Sequence, residues 1–247
     1  MSNDLTYRLI HKFSLDKGIE EFEDLLVEEC VLDVLVNDQY YTRLVCTPTH
    51  LEELVVGHLA LTGAISRFEE IASLEIKDSS IVVKTIPGTV SFLPAEVQLD
   101  TKYYAEDIIE VMKKHLNSSR VHRLTGGVHI MSLAEGPELL VSREDIGRHN
   151  AVDKLYGYCL INNINYRNKM FLSSGRTTHE IMQKLLKMGI KVMIGRAAVT
   201  GLARDIADKA GVTVVGFARG EKFNIYAHPE RIEITGQQVK VCRNRSE

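Results

Sequence analysis

The sequence predicts an α/β protein whose parallel strands are covered by helices. Three observations carry that expectation. From Asp145 onward strand-length apolar runs alternate with helix-period segments, the βαβα order that builds parallel sheets. The first hundred residues instead set short strand pairs around one helix. Between these parts lies Arg143-Glu144-Asp145-Ile146-Gly147-Arg148-His149-Asn150-Ala151-Val152-Asp153-Lys154, nine of whose twelve residues are charged, polar or glycine. It follows the short strand Glu138-Leu139-Leu140-Val141 and opens a helix carrying Val152, Leu155, Cys159 and Leu160, a strand-turn-helix junction of the kind where α/β proteins gather ligands.

In chain order, residues 1–26 mix charged and apolar side chains without a firm period, and the first few are expected to be mobile. Val31–Val36 and Tyr40–Cys46 predict a hairpin turning at Asn37-Asp38-Gln39. Thr49 and Glu52 have capping-box spacing ahead of a helix whose face holds Leu51, Leu54, Val55, His58, Leu59 and Ile65. Leu74–Lys77 and Ile81–Ile86 form a second strand pair around Asp78-Ser79-Ser80. Residues 87–101, with Pro87, Gly88 and Pro94, read as a connector. A helix follows over Ala105–Leu116, then Thr125-Gly126-Gly127 and a strand Val128–Leu133, joined to Glu138–Ser142 through Glu135-Gly136-Pro137. Asp145 is placed to cap the next helix and Gly147 to adopt an angle other residues avoid. That helix runs over 147–160. After it come strands Met170–Ser173, Lys191–Ile194 and Val212–Phe217, separated by helices over 177–188 and 200–210.

The 247 residues are 45% hydrophobic and 26% charged with a formal net charge of -3, an ordinary globular composition that advertises neither nucleic acid nor an anionic membrane. No apolar run reaches membrane-span length, and Met1-Ser2-Asn3-Asp4 lacks a signal peptide's basic and apolar regions. A cytoplasmic protein is expected. Of four cysteines, Cys30, Cys46 and Cys159 sit in apolar surroundings and read as inert core residues, whereas Cys242 is expected to be exposed. None are near neighbours, so neither a zinc-ligand spacing nor a disulfide framework is implied.

Three further polar clusters fall at strand ends. In Thr125-Gly126-Gly127-Val128-His129 the glycines allow close backbone approach, although a lone strand histidine is commonly a core residue. In Ser173-Ser174-Gly175-Arg176-Thr177-Thr178-His179-Glu180, Gly175 and the free amides of a helix start suit a phosphate or carboxylate, with Arg176 for a bidentate contact. An ordinary strand-to-helix turn is the alternative. In Gly216-Phe217-Ala218-Arg219-Gly220-Glu221-Lys222-Phe223-Asn224-Ile225-Tyr226, Arg219 and Lys222 offer cations, Gly220 backbone access, and Phe217 or Phe223 a stacking face; a surface hairpin turn explains it equally. No G-x-x-x-x-G-K-[ST], G-x-G-x-x-G, H-E-x-x-H or G-x-S-x-G motif occurs, which removes several familiar mechanisms. The residues alone reach a cytoplasmic α/β protein suited to a phosphorylated ligand.

With those residues in view, the chain resembles the FdhD family of formate dehydrogenase accessory proteins. Val27-Glu28, Val36-Asn37, Leu51-Glu52-Glu53-Leu54-Val55-Val56-Gly57, Thr125–His129, Arg143–Lys154, Ser174-Gly175-Arg176 with Glu180 and Lys184, and Gly216–Tyr226 follow in that family's order. The resemblance implies a three-layer αβα domain similar to cytidine deaminases over 101–247, joined to a smaller α+β part over 1–100. It implies a role too: taking sulfur from a cysteine desulfurase and passing it to the molybdenum bis(molybdopterin guanine dinucleotide) cofactor before insertion into formate dehydrogenase. The family's cofactor-binding segment falls on Phe217, Ala218, Arg219, Gly220, Glu221 and Lys222, with Gly175, Arg176, Arg148 and His149 as further contacts. A homodimer is implied, with no nucleic acid or membrane as partner.

The chain departs from the family in one respect that bears on chemistry. A Cys-Gly-x-Cys loop is usual there, yet Ile86–Leu124 holds no cysteine, so no catalytic residue is assigned. Thr62 also stands where a glutamate is usual. A cofactor-binding chaperone without persulfide chemistry is the alternative. A diverged nucleotide enzyme using His129 or His149 as general base is a third reading. Zinc deamination is not expected, because His149 is followed by Asn150-Ala151 and no cysteine pair exists in sequence.

Overall fold

A computed structural model describes residues 4–86 and 101–235. The chain forms two compact units, one of residues 1–94, 115–132 and 141–166, the other of 95–114, 133–140 and 167–247. These units interleave along the sequence, unlike the two consecutive parts expected over 1–100 and 101–247. The connector over 87–100, the first three residues and Cys242 lie outside the described residues.

The first unit begins with a ribbon, β1 (Leu5–Ser14) and β2 (Gly18–Val27), paired antiparallel from Leu5↔Val27 to Ser14↔Gly18. Residues 1–26, in which the sequence shows no firm period, thus hold two paired strands that sequence reading did not assign. Tyr7, Leu9, Phe13 and Ile19 are all exposed, so no buried face imposes the alternation by which strands are recognised. Next, β3 (Cys30–Val36) and β4 (Gln39–Cys46) form the expected hairpin. Its turn residues Asn37 and Asp38 both have positive φ, as two-residue turns matched to strand twist require. A second pair, β5 (Ile71–Lys77) and β6 (Ser80–Thr85), completes a four-stranded sheet of order β4-β3-β6-β5.

Between the pairs runs α1 (Leu51–Thr62). Its N-cap is His50 in the left-handed region, with no side-chain cap, so the expected Thr49–Glu52 capping box does not form. Ile65 lies beyond the helix end yet is buried. The strand β7 (Tyr103–Tyr104) leads to α2 (Ala105–Asn117), as expected, and then to a short α3 (Arg120–Thr125) that sequence reading missed. The hairpin β8 (His129–Glu135) and β9 (Glu138–Asp145) precedes α4 (Arg148–Ile161). Two expectations at this junction are corrected. Asp145 ends β9 and does not cap α4, whose N-cap is Gly147; Gly147 has an ordinary φ of -95°.

In the second unit the strands β10 (Met170–Ser173), β11 (Val192–Gly195) and β12 (Thr213–Arg219) alternate with α5 (His179–Met188) and α6 (Gly201–Lys209). β10, β11 and β12 are parallel neighbours, and β13 (Lys222–Ala227) adds antiparallel to β12. With β8 and β9 the sheet order is β13-β12-β11-β10-β8-β9. Every residue of β10 and β11 is buried, which is why they read as continuous apolar runs rather than alternating ones. The strand β14 (Ile232–Glu233) pairs parallel with β7. The protein is thus α/β, as predicted.

Candidate functional site

In the first unit the polar stretch is consumed largely by internal partners. Asp145 and Lys154 are 0% exposed and meet at 2.7 Å. The Thr47 amide and hydroxyl each donate to Asp145 Oδ2 at 3.1 Å. Gly147 N and Asn150 Nδ2 donate to Oδ1 at 2.9 and 3.1 Å. Lys154 Nζ donates to Thr47 Oγ1 at 2.6 Å and to Thr47 O at 3.2 Å. Buried charge survives only when paired and hydrogen-bonded in this way.

Helices α1 and α4 cross at two glycines. A Cβ on Gly57 would lie 1.8 Å from Asp153 O, and one on Gly157 would lie 1.8 Å from Glu53 O. Two more charged pairs lie beside this crossing, one formed by Arg143 of β9 and one by Asp153 of α4. Arg143 grips Glu53 in a fork, Nε–Oε2 2.5 Å and Nη2–Oε1 2.8 Å, with its guanidinium 4.2 Å over the Tyr158 ring. Burial alone would raise the Glu53 carboxyl, but hydrogen bonds from Arg143 and His50 outweigh it and hold the group below its ordinary value. His58 Nδ1 lies 3.0 Å from Asp153 Oδ2, with the Tyr41 ring edge-on to His58. Sequence reading missed Glu53, Thr47 and the role of His58, which it placed only on an apolar helix face. Arg148 and His149 are half-buried on the first turn of α4, and Arg148 Nε is buried with no hydrogen-bond partner among the described residues.

In the second unit the C-terminal ends of the parallel strands bring three loops together. Thr177 N donates to Ala198 O, Thr200 N to Thr177 O, Arg196 N to Ser173 O and Phe217 N to Ala197 O. Gly216 lies against this junction, where a Cβ would meet Val199 Cγ2 and the Tyr226 ring at 2.8 Å. Gly175 is buried beside Ser173 Oγ, and Arg176 is exposed. Helix α5 has Thr178 at its N-cap with no side-chain cap, at an end where the first backbone amides of a helix have no intrahelical partner. The hydroxyls of Thr177 and Thr178 are buried and find no partner among the described residues. Thr177 is itself 0% exposed, and a hydroxyl so placed is costly unless something binds it.

The segment Phe217–Lys222 spans the end of β12, the turn Gly220-Glu221 and the first residue of β13, with Arg219 paired to Lys222. Phe217 has φ 51° and Gly220 φ 60°. Ala218 is buried, while Phe217, Arg219, Gly220, Glu221 and Lys222 are exposed. Arg219 Nε donates to Arg196 O at 3.1 Å, and its guanidinium lies 5.6 Å over the Phe217 ring. The cation is therefore held in place by a neighbouring loop while the residue remains exposed.

Among the described residues no group of three or more His, Cys, Asp or Glu is placed to hold a metal ion. No helix there is long and apolar enough to cross a membrane.

A family model described as FdhD/NarQ matches residues 27–91 and 87–233. A protein named sulfur carrier protein FdhD from Geobacillus kaustophilus is 37% identical, covering 92% of this chain and 97% of its own length. One of the same name from Bacillus subtilis is 36% identical over 87% of this chain and 92% of its own. A crystal structure described as that of a formate dehydrogenase accessory protein from Desulfotalea psychrophila superposes with a TM-score of 0.82 at 28% identity. That match covers 93% of this chain and 99% of the other.

Proposed function

The chain belongs to the FdhD/NarQ family, and from that premise we propose that it is a sulfur-carrying accessory protein in formate dehydrogenase maturation. Its cargo in this reading is the molybdenum bis(molybdopterin guanine dinucleotide) cofactor, and its partners are a cysteine desulfurase and formate dehydrogenase. The observation that carries the cargo assignment is the loop cluster at the ends of β10, β11 and β12. There a fastened guanidinium, a ring face, a helix start without a side-chain cap and a buried unpaired hydroxyl converge within one unit. Such a set suits phosphates beside a flat base. Phe217, Ala218, Arg219, Gly220, Glu221 and Lys222 would line the nucleotide end, with Gly175 and Arg176 at the start of α5. Arg148 and His149 belong to the first unit and are separate candidates for an anion, Arg148 through its unpaired Nε.

The test is calorimetric titration with GDP as the probe. Arg219→Ala is expected to weaken binding by about 1.5–3 kcal/mol, the range for a charge-assisted hydrogen bond. Affinity unchanged in that variant would remove Arg219 from the site. A second reading, a cofactor chaperone without sulfur chemistry, is favoured by the cysteine-free interval Ile86–Leu124. The two readings separate on whether any thiol of the chain accepts sulfur.

A further inference from the structure

The sulfur-carrier reading needs a thiol. The described cysteines are Cys30, Cys46 and Cys159, all unbridged. Cys159 is buried on α4, where burial pushes its thiol up to about 12. A thiol so held exposes neither sulfur nor thiolate to a donor.

Cys30 and Cys46 are different, because the fold sets them side by side. The hairpin register of β3 and β4 pairs Cys30 directly with Cys46, and the two Sγ atoms lie 3.6 Å apart. They are sixteen residues apart in sequence, which is why no CxxC spacing announces them. Cys30 is half-buried at the start of β3, while Cys46 is fully buried at the end of β4. One thiol is reachable and the other stands directly behind it.

We propose that Cys30 and Cys46 form the sulfur-bearing dithiol of this chain, with Cys30 receiving sulfane sulfur from a protein persulfide and Cys46 releasing it as sulfide. This rests on the sulfur-carrier reading above. In the first step the Cys30 thiolate attacks the terminal sulfur of a donor R–S–SH. The donor S–S bond breaks, R–S⁻ leaves and takes a proton, and Cys30–S–SH forms with no net oxidation. In the second step the Cys46 thiol, giving up its proton, attacks Cys30 Sγ. A Cys30–Cys46 bond forms, HS⁻ leaves, and the two electrons that reduce the sulfane sulfur come from the thiol pair. A small-molecule or protein dithiol then reduces the disulfide and resets the pair.

The geometry suits this division of labour. A disulfide needs an S–S distance of about 2.05 Å, and the cross-strand register already brings the two Sγ atoms to 3.6 Å. Cys46 is held back as a first nucleophile. Burial raises its thiol, Cys30 and the Asp145 charge raise it further, and Lys154 only partly offsets them. Its role is therefore intramolecular attack on a persulfide already one bond away, where proximity replaces intrinsic reactivity.

The experiment uses the full chain, reduced and anaerobic, with a cysteine desulfurase and L-cysteine as the persulfide source. Intact mass, peptide mapping and released sulfide are read for the unsubstituted chain, Cys30→Ala and Cys46→Ala. Cys46→Ala is expected to accumulate one sulfur on Cys30 and release no sulfide. Cys30→Ala should acquire none at Cys46. The unsubstituted chain should release sulfide and end with Cys30 joined to Cys46, a result that peptide mapping reads without relying on any variant's folding. A persulfide that persists on the unsubstituted chain without sulfide release overturns the role of Cys46. Sulfur mapped to Cys159 or Cys242 overturns the dithiol but leaves the carrier reading standing, whereas no sulfur on any cysteine of the three chains, with no sulfide released and no disulfide formed, overturns both.

Discussion

Replacing Lys154 with methionine tests the buried cluster most directly. Methionine keeps most of the aliphatic volume and removes only the ammonium. The structure sets the magnitude. Lys154 Nζ lies 2.7 Å from Asp145 Oδ2, and both side chains are fully buried, so the substitution strands a carboxylate without its counter-charge. Breaking such a pair from one side typically costs about 3–5 kcal/mol. Here Asp145 keeps the amides of Thr47 and Gly147, the Thr47 hydroxyl and the Asn150 side chain as donors. That solvation by the protein places the expected loss at the lower end, about 3 kcal/mol in urea unfolding. The double variant Asp145→Asn/Lys154→Met removes the stranded charge and is expected to recover part of that loss. A Lys154→Met chain losing less than about 1 kcal/mol, the scale of an exposed ion pair, would refute the reasoning. So would a double variant less stable than the single one.

Three further outcomes follow from the same packing. Gly57→Ala drives a methyl group to within 1.8 Å of the Asp153 carbonyl, where only separation of α1 and α4 relieves the clash; a loss of about 3 kcal/mol or more is expected, and a thermal midpoint equal to the parent's would contradict the crossing. His115 is fully buried, and desolvation, aided by the His122 charge, pushes its ring down to about 3. Below pH 6.5 the unfolded chain takes up a proton that the folded chain refuses, so stability is full above that pH and falls as pH drops toward 3. The accumulated loss is roughly 3 kcal/mol at pH 4. His115→Asn should flatten the slope between pH 6.5 and 4 in urea titrations, and an unchanged slope would discount the buried ring. Thr177→Val removes the unpaired hydroxyl at constant shape. Stability should hold or rise by about 1 kcal/mol, while GDP affinity falls; a fall in stability with unchanged affinity would show the hydroxyl to be structural.

How much of this was legible in the sequence follows from where each signal lives. Strands β10 and β11 were legible because parallel strands covered on both faces must be apolar throughout, and the β3–β4 turn because Asn37-Asp38 tolerates positive φ. The ribbon β1–β2 was not, since Tyr7, Leu9, Phe13 and Ile19 point outward and leave no alternating face. The short α3 gave too few residues to show a period. The segment proposed for the nucleotide, Phe217–Lys222, stood out in the sequence because its cations and glycine fall within one short local run. Asp145 was misread as a cap because an acidic residue before a helix usually serves the helix. Its carboxylate in fact also takes two donors from Thr47 on a distant loop. The pairs Glu53–Arg143, His58–Asp153 and Cys30–Cys46 depend on helix crossing and strand register, which no local window records.

The twelve-residue stretch therefore works chiefly as a lock. Arg143 is held by Glu53, Asp153 faces His58, and Asp145 and Lys154 neutralise each other around Thr47. Of these partners, Glu53 and His58 lie on α1 and Thr47 in the segment joining β4 to α1. The lock fixes α4 to the end of the hairpin that carries the thiols, and Thr47, its central hydroxyl, directly follows Cys46. Charge in the lock reaches that thiol: Asp145 raises it and Lys154 lowers it. A residue pair buried for structure thus also adjusts the proton affinity of the second thiol, which burial and Cys30 chiefly raise. Replacing Lys154 alone leaves the opposing influence of Asp145 uncompensated, which should slow sulfide release at Cys46 while leaving acceptance of sulfur at Cys30 intact. Equal slowing of both steps would instead mean that the substitution had disturbed the hairpin as a whole.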